Sequence, residues 1–176
     1  MRNALGFRIV QWGAGMAEVL VLYYSRGGSV ARLARQVARG VEEVAGMQAR
    51  LRSVPPVAPV TQQAAPLKHF IDTLGGEWAS GTLVGKPAGV FTSTSTMHSG
   101  QESTLLSMML PLLHHGCVLV GIPHTEPALN TTRTGGTPYG ASHYAGLKDD
   151  PQPSDDEAVL ARVLGRRIAQ LASRLA

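Results

Sequence analysis

At 176 residues the chain has the length of one domain, enough to bury a core and too short for two. With 44% hydrophobic and 16% charged residues it is globular in composition, which excludes an intrinsically disordered chain. A net charge of +4 raises nucleic acid as a partner, but seven of the sixteen cationic residues fall on two helical stretches and no basic patch alternates with aromatics, so nucleic-acid binding is not expected.

Those cations are Arg32, Arg35 and Arg39 on one stretch and Arg162, Arg166, Arg167 and Arg174 on the other, and they read as solvated faces. Aromatics make up only 5%, so the core must come from Val, Leu, Ala and Met. The lone Cys117 excludes an internal disulfide framework and a cysteine-only metal site, and points to a reducing compartment such as the cytoplasm. Scattered histidines lack metal-ligand spacing, so no metal is expected. No run approaches transmembrane length.

Residues 1–15, "MRNALGFRIVQWGAG", carry an apolar stretch broken by Arg8 and Gln11 with no cleavage pattern after it, so they do not read as a signal peptide. Met16 stands just before the first strand, and the expectation is a functional start there, with residues 1–15 a disordered extension and 16–176 a single domain. "GAGMAE" at 13–18 is not a dinucleotide fingerprint. It precedes a strand instead of following one, and Glu18 stands where a third Gly or Ala is needed.

"EVLVLYY" at 18–24 is a continuous apolar run, expected as a strand buried on both faces. "SRGGS" at 25–29 turns the chain into a helix whose Val30, Leu33, Val37, Val41 and Val44 recur at helical spacing, with Gly46 as C-cap. "QARLRSV" at 48–54 is a weaker strand closed by "PPVAPV", and 66–74 form a short helix with Pro66 in its first turn. "GGEWASGTLVGK" reads as a glycine-broken loop carrying Trp78, and "PAGVFTS" as another buried strand. "QESTLLSMMLPLLHHG" is a helix that Pro111 should kink and Gly116 ends; its Met/Leu run is core or subunit interface. "CVLVGI" at 117–122 is the last predicted strand, followed by a long loop. The final helix opens with Ser154 and Glu157 in capping-box register and carries the stripe Leu160, Leu164, Ile168, Leu171 and Leu175. Alternating strands and helices predict a parallel α/β sheet covered on both faces.

In such sheets ligands bind beyond the carboxyl ends of the strands. Two of these ends are rich in donors. "SRGGS" offers hydroxyls, glycines and a helix N-terminus, a composition suited to a phosphate, although Gly-Ser turns are also ordinary connections. "TSTSTMHSG" supplies a second hydroxyl-lined loop on the same edge. No G-x-S-x-G element supplies a hydrolase nucleophile.

Taken together, "VLYYSRGGSVARLA", "FIDTLGGEWASGTLVGKPAGVF", "STSTMHSGQESTL", "LLHHG" and "GGTPYGASHYAG" resemble, in collinear order over most of 17–176, the WrbA family of flavodoxin-like NAD(P)H:quinone oxidoreductases that bind FMN. The resemblance implies a flavodoxin-like three-layer sandwich with a parallel sheet ordered 2-1-3-4-5, a homotetramer, and two-electron reduction of a quinone by NAD(P)H through the flavin. It implies that Ser25, Arg26, Gly27, Gly28, Ser29 and Val30 form the FMN phosphate loop and that Ser93, Thr94, Ser95, Thr96, Met97 and His98 line the flavin. His114 matches a flavin-contacting histidine that reaches in from an adjacent subunit, and Trp78 the aromatic on the substrate side, where a planar quinone or nicotinamide could stack. No side chain is implied as a catalytic nucleophile. At Gly27 the family commonly has a nicotinamide-contacting aromatic, which this chain lacks.

The resemblance breaks between "RSVPPVAPVTQQAA" and "PLKHFID", where the family has a third buried strand and a loop that holds the isoalloxazine ring. Neither is present. That strand is the middle one of the sheet, and its loss should leave its neighbours with unpaired backbone groups. The competing expectation is therefore a non-catalytic flavodoxin-like subunit or interaction module with weak FMN binding or none.

Overall fold

The computed structural model describes residues 17–55 and 65–175. The expected extension at 1–15, the proposed start at Met16 and most of "PPVAPV" lie outside the described residues. Strand β1 (Ala17–Tyr23) leads through Ser25–Gly28 into helix α1 (Ser29–Glu42), then β2 (Met47–Ser53), which pairs with β1 in parallel from Ala17↔Met47 to Tyr23↔Ser53. The chain continues through α2 (Ala65–Asp72), α3 (Gly75–Ala79), β3 (Pro87–Ala88), β4 (Phe91–Thr94) and α4 (Gln101–His114). It closes with β5 (Val118–Leu119), α5 (Pro127–Thr131), β6 (Ala141–Tyr144) and α6 (Asp155–Leu175).

Among the described residues all strand pairs are parallel, as the alternation of strands and helices predicts: β1 with β2, β3 with β5, and β4 with β6. "PAGVFTS" is not one strand but two. The break falls at Gly89 and Val90, where the chain changes partner. After β5, the Ile122 N–H donates to the Pro138 carbonyl, and β6 then takes over against β4. Gly140 permits the exchange, since a Cβ there would sit 2.2 Å from the Val90 carbonyl oxygen. β6 and α5 emerge from what the sequence presents as a long loop, and α3 from the glycine-broken one. "ASHY" has no β-branched residue, and its strand geometry comes from pairing with β4.

Helices α1 and α6 pack on one face of the strands. Leu33, Ala34, Val37 and Ala38 of α1 meet Leu160, Ala161, Leu164 and Ile168 of α6, with Val21 of β1 beneath them. The predicted stripe of α6 is buried through Ile168, Leu171 packs partly against the core, and Leu175 is exposed. The helices approach to backbone contact through two glycines: a Cβ on Gly40 would lie 1.9 Å from the Arg162 carbonyl oxygen, and one on Gly165 2.0 Å from that of Val37.

β1 departs from expectation. Val19, Val21 and Tyr23 pack toward α1 and α6, but Leu20 on the opposite face is 39% exposed. Among the described residues no strand pairs with the edge of β1 away from β2. An apolar run predicts burial on both faces only when neighbours cover both, and here one side opens onto a cleft.

Candidate functional site

The cleft has a volume of about 1720 Å³ and runs between β1 and the β3–β4 segment. Both donor-rich loops open into it. Ser25, Arg26, Gly27, Ser29 and Val30 line one end, together with Ser93, Thr94, Ser95 and Thr96. The first loop is shaped by Ser25, whose Oγ accepts the Gly28 N–H at 3.1 Å, and by Gly28 itself at φ 94°. A β-carbon is strained at that angle. No side chain caps α1 and no acidic residue occupies its first turn, so its positive end faces the loop.

The second loop is held from three sides. Gln101, buried at the start of α4, donates from Nε2 to Thr94 Oγ1 at 2.9 Å, while that hydroxyl donates to the Thr96 carbonyl at 2.8 Å. The Ala145 N–H donates to the Thr94 carbonyl at 2.9 Å, and Ser95 Oγ reaches Asp149 Oδ1 at 3.5 Å. Thus a third segment, Ala145 to Gln152, joins the site. Arg32 on α1 donates to the Gln152 side chain at 3.2 Å, and Ala145 and Asp149 line the cleft. Asp149 adopts φ 52°, the one described non-glycine residue with positive φ.

The third segment is positioned by a buried ion pair that the sequence analysis did not find. His143 on β6 and Glu157 on α6 are each 1% exposed at the side chain, with Nδ1 2.7 Å from Oε2. His143 Nε2 lies 2.9 Å from the Asp150 carbonyl, so both ring nitrogens face acceptors and the ring is held as an imidazolium. Burial alone would lower its pKa, but the bonds to Glu157 and to the Asp150 carbonyl outweigh it and raise it above 6.5. Burial pushes the Glu157 carboxyl up, yet hydrogen bonds from His143 and from the Tyr144, Ser154 and Gly135 N–H groups bring it from 4.5 to about 2. The expected capping box is present within this cluster: the Ser154 N–H donates to Glu157 Oε2 at 2.8 Å and the Glu157 N–H to Ser154 Oγ at 3.3 Å. The signal available in the sequence was only "ASHYAG" itself, since nothing in a separation of fourteen residues predicts the pairing.

The remaining predicted residues are placed elsewhere. Met97 and His98 line a separate recess with Gly100, Gln101 and Thr134. Trp78 is 52% exposed and stacks on His114 of the same chain, with ring centroids 5.4 Å apart and planes within 4°. Neither lines the cleft. His115 does, with its Nδ1 buried and without a hydrogen-bond partner.

Parallel strand pairs between helices, with an uncapped helix end after β1 and a hydroxyl loop after β4, define a flavodoxin-like α/β protein. A flavodoxin, WrbA-like protein from Agrobacterium tumefaciens superposes with a TM-score of 0.66 at 20% identity, covering 90% of this chain and 99% of that one. An NAD(P)H dehydrogenase (quinone) from Chromohalobacter salexigens is 39% identical over 200 residues, covering 92% of this chain and all of the relative. Another of the same description from Geobacter sulfurreducens is 39% identical over 200 residues, covering 90% of this chain and 98% of the relative. No family model matches. The chain belongs to the NAD(P)H dehydrogenase (quinone) family. The 200 aligned residues exceed the 176 of the whole chain, so the relative contains positions for which this chain has no residue. No helix among the described residues is long and apolar enough to cross a membrane.

Proposed function

We propose that the chain is an FMN-dependent NAD(P)H:quinone oxidoreductase of a reducing, cytoplasmic compartment. The observation that carries the reading is the convergence of Ser25, Arg26, Gly27, Ser29 and Val30 with Ser93–Thr96 on one cleft at the uncapped end of α1. These residues fit the phosphate end of FMN: backbone N–H groups, two serine hydroxyls and a helix dipole, with no acid in the first turn. When bound, the flavin supplies the two-electron hydride chemistry. The chain's contribution is to hold and orient. Ser25 and Gly28 set the anion loop, while Thr94 and Gln101 fix the hydroxyl loop that would face the ring.

Trp78 and His114 enter this reading through assembly. They lie off the cleft of their own chain, and together they present a flat aromatic stack suited to a quinone or nicotinamide. Val84, Leu106, Leu110, Leu113 and Val118 are exposed as well, apolar side chains suited to self-association in the expected homotetramer. The double variant Leu110→Asp, Leu113→Asp should convert an oligomer to monomers in light scattering and leave the circular-dichroism spectrum unchanged. A wild-type chain that is already monomeric would remove this assignment.

An FMN titration followed by quenching of flavin fluorescence tests the main reading. Stoichiometric binding is expected, weakened about tenfold or more, ~1.4 kcal/mol, in Gly28→Val, where the strained φ distorts the anion loop. A folded chain that binds no FMN at tens of micromolar would instead support a non-catalytic flavodoxin-like subunit. The aligned positions missing from this chain, and an edge of β1 that pairs with no strand among the described residues, favour that second reading.

A further inference from the structure

The segment from Ala145 to Gln152 touches both donor-rich loops. On one side Asp149 Oδ1 accepts from Ser95 Oγ at 3.5 Å, and on the other a Cβ on Gly28 would stand 3.8 Å from Pro151 Cβ. Asp150 lies between those two contacts, and its carbonyl accepts from His143 Nε2 at 2.9 Å. The side-chain bonds Ser95–Asp149 and Arg32–Gln152 are both exposed. The bond that reaches the segment from inside the protein is that of His143, whose side chain is 1% exposed.

We propose that His143 is a positioning residue: the proton on its Nε2 clamps this segment against the two loops, and loss of that proton lets the segment lift from the cleft. Which nitrogen gives up its proton follows from the partners. Three backbone N–H groups besides the ring keep Glu157 charged, so Nδ1 holds its proton toward Oε2. A neutral imidazole has one N–H. Nε2 then turns a lone pair toward the Asp150 carbonyl oxygen, acceptor against acceptor, and the contact that held the segment becomes repulsive. The bonds from the Asp150 N–H to Ala145 and from the Asp149 N–H to Gly146 lie within the segment, which therefore keeps its shape as it swings about Ala145.

The charges that act on the ring are Glu157 from α6 and Asp150 from the segment itself. On β4 the residue opposite His143 is the neutral Ser93, and Arg32 of α1 reaches the segment through Gln152. Burial favours the neutral ring, but the hydrogen bonds and the two anions outweigh it. The clamp is therefore closed at low pH and opens as pH rises through the folded pKa, which lies above 6.5. The clamp itself needs no flavin; its effect on affinity rests on the reading of the cleft as an FMN site.

The test is nuclear magnetic resonance of the full chain without flavin, from about pH 6 to 9, following the His143 ring nitrogens and the amide protection of the segment. Nε2 should lose its proton while Nδ1 keeps its own. At that step protection of the Asp149 and Asp150 amides should fall about tenfold or more beyond any change at Leu33 and Leu164. FMN titrations over the same range give a second readout. The FMN phosphate itself titrates at about pH 6, so wild type is compared with His143→Gln, which has no proton to lose there. The affinity ratio should favour wild type at low pH and fall about tenfold as His143 titrates, and bound FMN should raise the His143 midpoint by the same factor, about one pH unit. Loss of the Nδ1 proton first, or segment protection that does not change as His143 titrates, overturns the clamp. A flat affinity ratio with FMN bound overturns its coupling to the ligand. Opening as expected with no FMN bound at any pH supports the clamp and overturns the flavin reading instead.

Discussion

Replacing Glu157 with Gln should destabilise the protein by about 3–5 kcal/mol, a large share of the ~5–15 kcal/mol that holds a domain of this kind folded. One carboxylate accepts four donors here: the Gly135 and Tyr144 N–H groups on Oε1, and the Ser154 N–H and His143 on Oε2. The amide of Gln carries hydrogens on one side. Two of the four donors must then face an NH₂ group, and the His143 imidazolium is left buried without its counter-ion. Urea unfolding reads the loss directly. Asp155→Asn, in the same first turn but without this set of bonds, should shift stability by less than about 0.5 kcal/mol. Equal small shifts for both variants would show that the buried pair is not an anchor.

The pair also sets a pH window. The folded pKa of Glu157 is lowered from 4.5 to about 2, so its contribution is present above 4.5 and is lost as pH falls toward 2. The folded pKa of His143 is raised above 6.5, so its contribution is complete below 6.5 and is lost as pH rises through the folded value. Stability from this cluster is therefore greatest between about pH 4.5 and 6.5. In His143→Gln the alkaline side of the profile should flatten. The pair matters to function by position: β6, which it pins, fixes the end of β4 through the Ala145–Thr94 bond.

Gly165→Ala should cost about 3 kcal/mol or more, against the ~1 kcal/mol gain that helix propensity alone predicts for an interior glycine. The new methyl would stand 2.0 Å from the Val37 carbonyl oxygen, which is backbone and cannot rotate aside. Gly40→Ala has the reciprocal conflict with the Arg162 carbonyl. Because both glycines set one helix crossing, the double variant should cost less than the two single losses added together, once either methyl has forced α1 and α6 apart. A rise in melting temperature for Gly165→Ala would contradict the contact. Separation would also move the N-terminus of α1, and with it the anion loop.

Much of this architecture is local and therefore readable in one dimension. The apolar run of β1, the 3.6-residue stripe of α1, the hydroxyl loop after β4 and the Ser154–Glu157 box each follow from residues within a turn or two of one another. The sequence by itself thus determined the parallel α/β class and the two loops that share the cleft. What it could not determine depends on partners distant along the chain. "ASHY" becomes a strand because β4 lies beside it, and "PAGVF" breaks because its neighbour changes at Gly89. His143 becomes an imidazolium because folding delivers a carboxylate to it, and Gly40 and Gly165 are essential because a carbonyl of the opposite helix occupies the space of their missing β-carbons. The open side of β1 is of the same kind. Its residues promise burial on both faces, and only the tertiary arrangement shows which face has a neighbour.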